Sequence, residues 1–273
     1  MAEAAVEVLL GGDEGGISAR SYTGVLGQLT LALEEIDRVV EPDAASRPVW
    51  RVTDTEWRRD VGAVVQLTPT LRRRTTRTTA DLFRPGRELW GGVMELSQQP
   101  EIPQAFTASV VARVSNIRQQ IERKSTGLTS VAIVPLSGPS AIPADISDAV
   151  EQNAAKAVAI ASLAYGSLIG RLDMISARGK VKKIGLRTDF GPPVMCAVDS
   201  LEQGVYMDAF ERRVLVSGLL KRNARGQAVS LHVDALELLP ETGRISATRL
   251  LGALPELGGT LPATEYIRGR RGE

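Results

Sequence analysis

The chain has 273 residues, a formal net charge of +1, 43% apolar and 24% charged side chains. That mix excludes a mostly disordered chain, and a chain of this length buries roughly 70–75% of its unfolded surface without a metal or disulfide staple. One cysteine, Cys196, and one histidine, His232, exclude an internal disulfide and a zinc finger. No apolar run is long enough to predict a transmembrane helix. The stretch Met1–Glu7 lacks the basic start and apolar core of a secretory signal, so a cytoplasmic location is expected.

Charge is distributed unevenly. Residues 1–43 carry two basic and nine acidic side chains, residues 47–90 ten and five, and residues 166–240 eleven and eight. Such asymmetry steers a partner or lets one part of a chain dock on another, although a solvated surface explains any single stretch equally well. Aromatics make up only 4%, so the core is expected to be aliphatic.

In chain order, Ala5–Leu10 predicts a short strand and Gly11–Gly16 a flexible turn. Ser18 caps a predicted helix to about Val40, with Val25, Leu29, Ala32, Leu33, Ile36 and Val40 on one stripe. Pro48–Val52 and Val61–Leu67 are predicted strands, which makes the first third a small α+β layer. Leu71–Thr79 reads as an exposed basic hairpin. Leu82–Leu96 is expected to be helical in part, interrupted at Pro85-Gly86, with Gln98–Pro103 as a linker. Pro103 opens a helix to about Lys124 with Phe106, Val110, Val114, Ile117 and Ile121 on one face. Ser130–Pro135 is a buried strand or an extended connector, and Ser137–Pro143 a loop. An Ala-rich helix over Ala144–Tyr165 is expected to pack on the preceding one.

From Gly166 the pattern changes to strands: Leu168–Ile175, Val181–Arg187, Val194–Val198, Val214–Leu220 and Ala228–Leu238. A short helix over Leu201–Phe210 and a hairpin turn at Asn223–Gly226 interrupt them. The last strand is expected to turn Val229, Leu231, Val233 and Ala235 inward, with Ser230, His232 and Asp234 outward. The predicted fold class is α+β. Residues 1–97 form a sheet-plus-helix domain with a basic segment, 103–165 a helical pair, 166–240 a five-stranded barrel and 241–273 a tail.

Three strands, a short helix and a two-stranded hairpin follow one another here within about 75 residues. Gly170-Arg171-Leu172-Asp173, Val194–Val198, and Arg213–Gly218 leading to Lys221-Arg222 and Gly226 resemble an OB-fold barrel. That resemblance covers just over a quarter of the chain. It implies that the loops after the first strand and between the fourth and fifth flank a ligand groove. Both are basic: Arg178 and Lys180, with Lys182, Lys183 and Arg187 just beyond, and Lys221, Arg222 and Arg225. The resemblance leads us to expect the two clusters to converge on one edge, suited to a phosphate backbone. The barrel offers few stacking aromatics, only Phe190, Tyr206 and Phe210, and the last two lie in the predicted helix, where they read as core. A barrel used for protein contact, with solvated basic loops, is the plainer expectation.

Arg72, Arg73, Arg74 and Arg77, with Arg84 and Arg87, put six arginines in sixteen residues beside one acid, Asp81. Arginine forks match phosphate or carboxylate. The segment is expected to meet an anionic partner, including the acidic first helix of another copy, or to be a mobile basic loop. Gly11-Gly12 and Gly15-Gly16 lack the spacing and lysine of a phosphate loop, and Asp13 and Glu14 would repel phosphate. Cys196 reads as a small buried hydrophobe. Glu34-Glu35 and the pair Asp145 and Asp148 are expected on helices, and no G-x-S-x-G elbow appears. No catalytic residue, metal site or cofactor is therefore expected. In the tail, Gly258-Gly259 and Glu265-Tyr266-Ile267-Arg268 are similar to the ends of small bacterial antitoxin-type proteins, which implies docking on a partner. The whole reads as a non-enzymatic binding or assembly protein that contacts single-stranded nucleic acid through its barrel loops. The alternative is a protein–protein adaptor or antitoxin-like partner without a nucleic-acid role. A homo-oligomer is expected, and no membrane partner.

Overall fold

The computed structural model describes residues 5–42, 44, 46–71, 77–123, 126–136, 142–176, 181–199 and 203–240. The chain combines helices with two five-stranded sheets, an α+β structure. The first sheet uses β1 (Val6–Gly12), β2 (Pro48–Arg58), β3 (Gly62–Leu71), β4 (Leu128–Pro135) and the two-residue β5 (Ala144–Asp145). Their order is β2–β3–β1–β4–β5, and every neighbouring pair is antiparallel. Val6, Val8 and Leu10 alternate with less buried neighbours, so one face of β1 meets the core.

Four helices share that core: α1 (Ala19–Val40), α2 (Thr79–Gln98), α3 (Ala108–Ile121) and α4 (Asp148–Val158). The predicted stripe of α1 is buried at Val25, Leu29, Leu33 and Ile36, and the Ser18 hydroxyl accepts from the Ser21 amide. Each such Leu or Ile contributes roughly 1.5–3 kcal/mol. Helix α2 corrects the expected interruption, because it runs straight through Pro85. A proline has no N–H for the carbonyl four residues back, and here Arg77 donates to the Asp81 carbonyl instead, at 3.3 Å. Ser130–Pro135 lies within β4, a strand and not a connector. The expected helix over 144–165 divides into β5, α4 and the start of another strand at Ser162.

The second sheet contains β6 (Ser162–Ser176), β7 (Lys183–Thr188), β8 (Val194–Ala197), β9 (Arg213–Arg222) and β10 (Ala228–Leu238). It closes in the order β6–β7–β8–β10–β9, back to β6. All contacts are antiparallel except β8 with β10, which is parallel. A short helix, α5 (Gln203–Asp208), lies between β8 and β9. Leu172, Ile184, Leu186, Val214, Val216, Leu231 and Val233 fill the interior. Gly218 permits β9 to approach β10: its φ is 158°, and a Cβ there would stand 2.0 Å from the His232 carbonyl oxygen.

Two register shifts in β10 overturn part of its expected alternation. Val229 packs against the core of the first sheet, and Ala235 turns out to solvent while Leu236 turns in. A bulge adds one residue and so exchanges the faces that follow. Tyr206 is buried as expected, but Phe210 is 42% exposed.

The β9–β10 turn fastens the barrel to the helical layer. Asn223, 3% exposed, donates to the Ala157 carbonyl at 2.8 Å. Gln227 accepts from the Ile102 amide and donates to its carbonyl, at 2.8 and 3.1 Å. The Asn223 side-chain oxygen accepts from the amides of Arg225 and Gln227, which holds the turn in shape.

Candidate functional site

The cations singled out in the sequence separate into three groups. Arg72, Arg73, Arg74, Arg178 and Lys180 lie outside the described residues, as do the tail motifs. Several others are engaged within the chain. Arg77 forms an ion pair with Asp37 at 2.5 Å, both side chains being buried. Arg47 reaches the same carboxylate at 3.2 Å. Arg84 pairs with Glu41 at 3.3 Å. The acidic first helix and the basic segment therefore meet inside one molecule, where the sequence left room for a meeting between copies. Arg225 pairs with Glu101 at 3.1 Å, and Arg222 donates to the Gly226 carbonyl at 2.6 Å. Lys182 and Lys183 are exposed at the start of β7, while Arg187 and Lys221 are partly buried.

Among the described residues, the strand ends that lead into the two basic loops lie at opposite ends of β6. The β9–β10 turn follows Arg222, which sits opposite Ser162 at the start of β6. The β6–β7 connection leaves from Ser176, at the other end of the same strand. A strand of that length spans roughly 45 Å at about 3.3 Å per residue. The rim expected from the OB resemblance includes Arg178 and Lys180, which lie outside the described residues, and the β9–β10 turn is occupied with the helical layer.

The β7–β8 side of the barrel also faces that layer. A cavity of about 60 Å³ lies between them, lined by Glu35, Arg38 and Thr107 on one side and Asp173, Met174 and Met195 on the other. Asp173 is the extra residue in the β6–β7 register, between Leu172 and Met174. Burial pushes its carboxyl up to about 6, against the opposing pull of Arg187, Arg171 and Arg47. The volume has room for a few waters.

Of the carboxylates weighed in the sequence, Glu35 and Asp148 have partners within the chain. The Glu35 carboxylate accepts from the Thr107 hydroxyl and faces Arg113 at 3.7 Å. Asp148 pairs with Arg118, and Asp145 belongs to β5, not to a helix. Burial pushes the Cys196 thiol up to about 12, far from the range of a nucleophile. Among the described residues no cluster of three His, Cys, Asp or Glu side chains has the arrangement of a metal site.

The sequence reading missed a different feature. On β6 the inward residues are Leu168 and Leu172, so Leu163, Tyr165, Ser167 and Ile169 point outward. Opposite them on β9 stand Lys221, Leu219, Ser217 and Leu215. Leu163 is 56% exposed, Tyr165 71%, Ile169 40% and Leu219 36%. The Tyr165 hydroxyl donates to Asp234 on β10, so the side chain reaches across β9 on this face. That bond also raises the phenol above its ordinary range.

Among the described residues this face ends at an edge without a strand partner. Strand β6 pairs with β9 from Ser162 onward, but with β7 only from Gly170. The β2 and β6 edges differ in character. Edge strand β2 carries Arg51, Asp54, Glu56 and Arg58, the kind of charge that discourages strand-to-strand association. Residues 157–170, between Lys156 and Arg171, carry none. That uncharged run is visible in the sequence, but its part up to Tyr165 falls in the expected helix over 144–165.

Among the described residues no helix is long and apolar enough to cross a membrane. Comparison with protein-family models and with curated proteins found no match. The functional reading therefore rests on geometry.

Proposed function

We propose that the chain is a non-enzymatic assembly protein that binds another protein chain through the outer face and open edge of its barrel. The observation that carries this is Ser162–Leu168 of β6, mostly exposed, uncharged and, among the described residues, without a strand partner on its β7 side. Exposed edges of this kind bind by adding a strand, with main-chain hydrogen bonds giving affinity and alternate side chains giving selectivity. The strand ring, with its parallel β8–β10 contact and the helix before β9, supports reading the barrel as OB-like. Its β7–β8 side packs on the helical layer, which among the described residues leaves the outer β6–β9–β10 face exposed for a partner.

Lys182 and Lys183 support the rival nucleic-acid reading, since both are exposed on the barrel. Two variants separate the readings. Leu219→Lys is expected to abolish partner binding, scored as proteins retained by the wild type and lost by the variant. Lys182→Glu with Lys183→Glu is expected to leave it unchanged. Salt-dependent binding of single-stranded oligonucleotides, lost on that lysine reversal and indifferent to Leu219→Lys, would replace the protein-binding proposal with the nucleic-acid one.

A further inference from the structure

We infer that the cleft between α1 and α3 binds a small phosphorylated sugar or polyol. The inference is independent of the protein-binding reading, since no residue lining the cleft belongs to the barrel. The cleft has a volume of about 450 Å³, well above that of the cavity beside Asp173 and within the range of small-molecule sites. Its walls are held by the chain itself. The Ser18 N–H donates to the Thr126 carbonyl at 2.8 Å and the Asp13 N–H to the Gly127 carbonyl at 2.9 Å, so the start of α1 is fastened to the chain that follows α3. Further along, Arg113 donates to the Gln28 side-chain oxygen at 3.3 Å. Between these ties Gly24 lets the Gln120 side chain lie against α1: a Cβ there would stand 2.7 Å from the Gln120 Oε1.

The chemistry of the lining names the ligand class. Elsewhere in the helical layer Arg38, Arg77, Arg84, Arg113 and Arg118 each meet a carboxylate of the chain. Arg20 and Arg123 line the cleft, are exposed, and among the described residues meet none; no carboxylate lines the cleft with them. Two guanidinium forks without an acid to neutralise them suit a phosphate, which offers several oxygens and more than one charge. The carboxamides of Gln28, Asn116, Gln119 and Gln120 line the same cleft. A carboxamide both donates and accepts, as a ligand hydroxyl requires, and Asn116 and Gln119 have no hydrogen-bond partner among the described residues. The lining includes no aromatic or aliphatic side chain, so it offers no platform for a nucleobase and no apolar wall for an acyl chain. A sugar or polyol monophosphate meets both the charged and the neutral polar groups.

Isothermal titration calorimetry on the full chain tests this, with glucose 6-phosphate, ribose 5-phosphate and glycerol 3-phosphate as probes and with glucose and inorganic phosphate as controls. At least one probe is expected to bind more tightly than either control. Arg20→Ala and Arg123→Ala, each alone, are expected to weaken that binding about tenfold or more, and added salt is expected to weaken it in the wild type. Gln119→Leu is expected to weaken the sugar phosphate and to leave inorganic phosphate unchanged, which separates the hydroxyl contacts from the phosphate contacts. All three side chains are exposed, so thermal unfolding of the unliganded variants is expected to match the wild type. Leu219→Lys is expected to leave the titration unchanged, so this inference and the protein-binding reading fail separately. Three probes that bind no better than inorganic phosphate overturn the inference, as does binding that neither arginine substitution weakens.

Discussion

Replacing Asp173 with asparagine is expected to stabilise the protein at neutral pH and not in acid. The carboxyl stands on a bulge between the barrel and the helical layer, and burial raises it to about 6 from an ordinary 3.8. The folded state therefore holds this proton more tightly than the unfolded chain does. Its contribution is fully present below about pH 4 and is lost as pH rises through 6. Above that, the native state carries a partly desolvated carboxylate. The cost is about 3 kcal/mol, since each tenfold change in proton affinity is worth about 1.4 kcal/mol. Asparagine has the same shape and no charge. Urea unfolding followed by circular dichroism is expected to show the variant more stable by about 2–3 kcal/mol at pH 7.5. The difference should shrink through pH 5 and vanish near pH 4. A variant less stable than wild type at pH 7.5 would refute the reasoning, and would mean that Arg187, Arg171 and Arg47 hold the ionised carboxylate at a net gain. A difference that does not change with pH would refute it equally.

Two further substitutions probe the internal polar contacts. Asp37→Ala leaves Arg77 buried without its carboxylate, and is expected to cost about 3–5 kcal/mol in urea unfolding. Asn223→Ala orphans the Ala157 carbonyl and frees the turn amides. It is expected to cost about 2–3 kcal/mol, measured in the same way, and to increase protease cleavage in the β9–β10 turn.

Helix periodicity was the most legible part of the sequence. The α1 stripe is a local pattern of three- and four-residue spacing, and it is buried where that spacing put it. The strands of the barrel were legible too, because Gly, Pro and Asn punctuate them. Continuity through Pro85 was not, because the carbonyl freed by the proline is satisfied by Arg77, a side chain outside the helix. The boundary at Ser162 was missed because Ala-rich and small residues suit a helix, and only pairing with β9 makes them a strand.

Charge behaved differently. Composition revealed an acidic first helix and a basic segment after it, but not that Asp37 and Arg77 neutralise one another inside the chain. The candidate site divides in the same way. That residues 157–170 carry no charge is a property of the sequence alone. That Leu163, Tyr165 and Ile169 face outward, beside an edge that among the described residues has no strand partner before Gly170, was decided by the tertiary structure. The physical reason is range. Capping and amphipathic spacing act over one or two turns of chain, whereas strand register depends on hydrogen bonds between distant segments, and a single inserted residue reverses which side chains meet water.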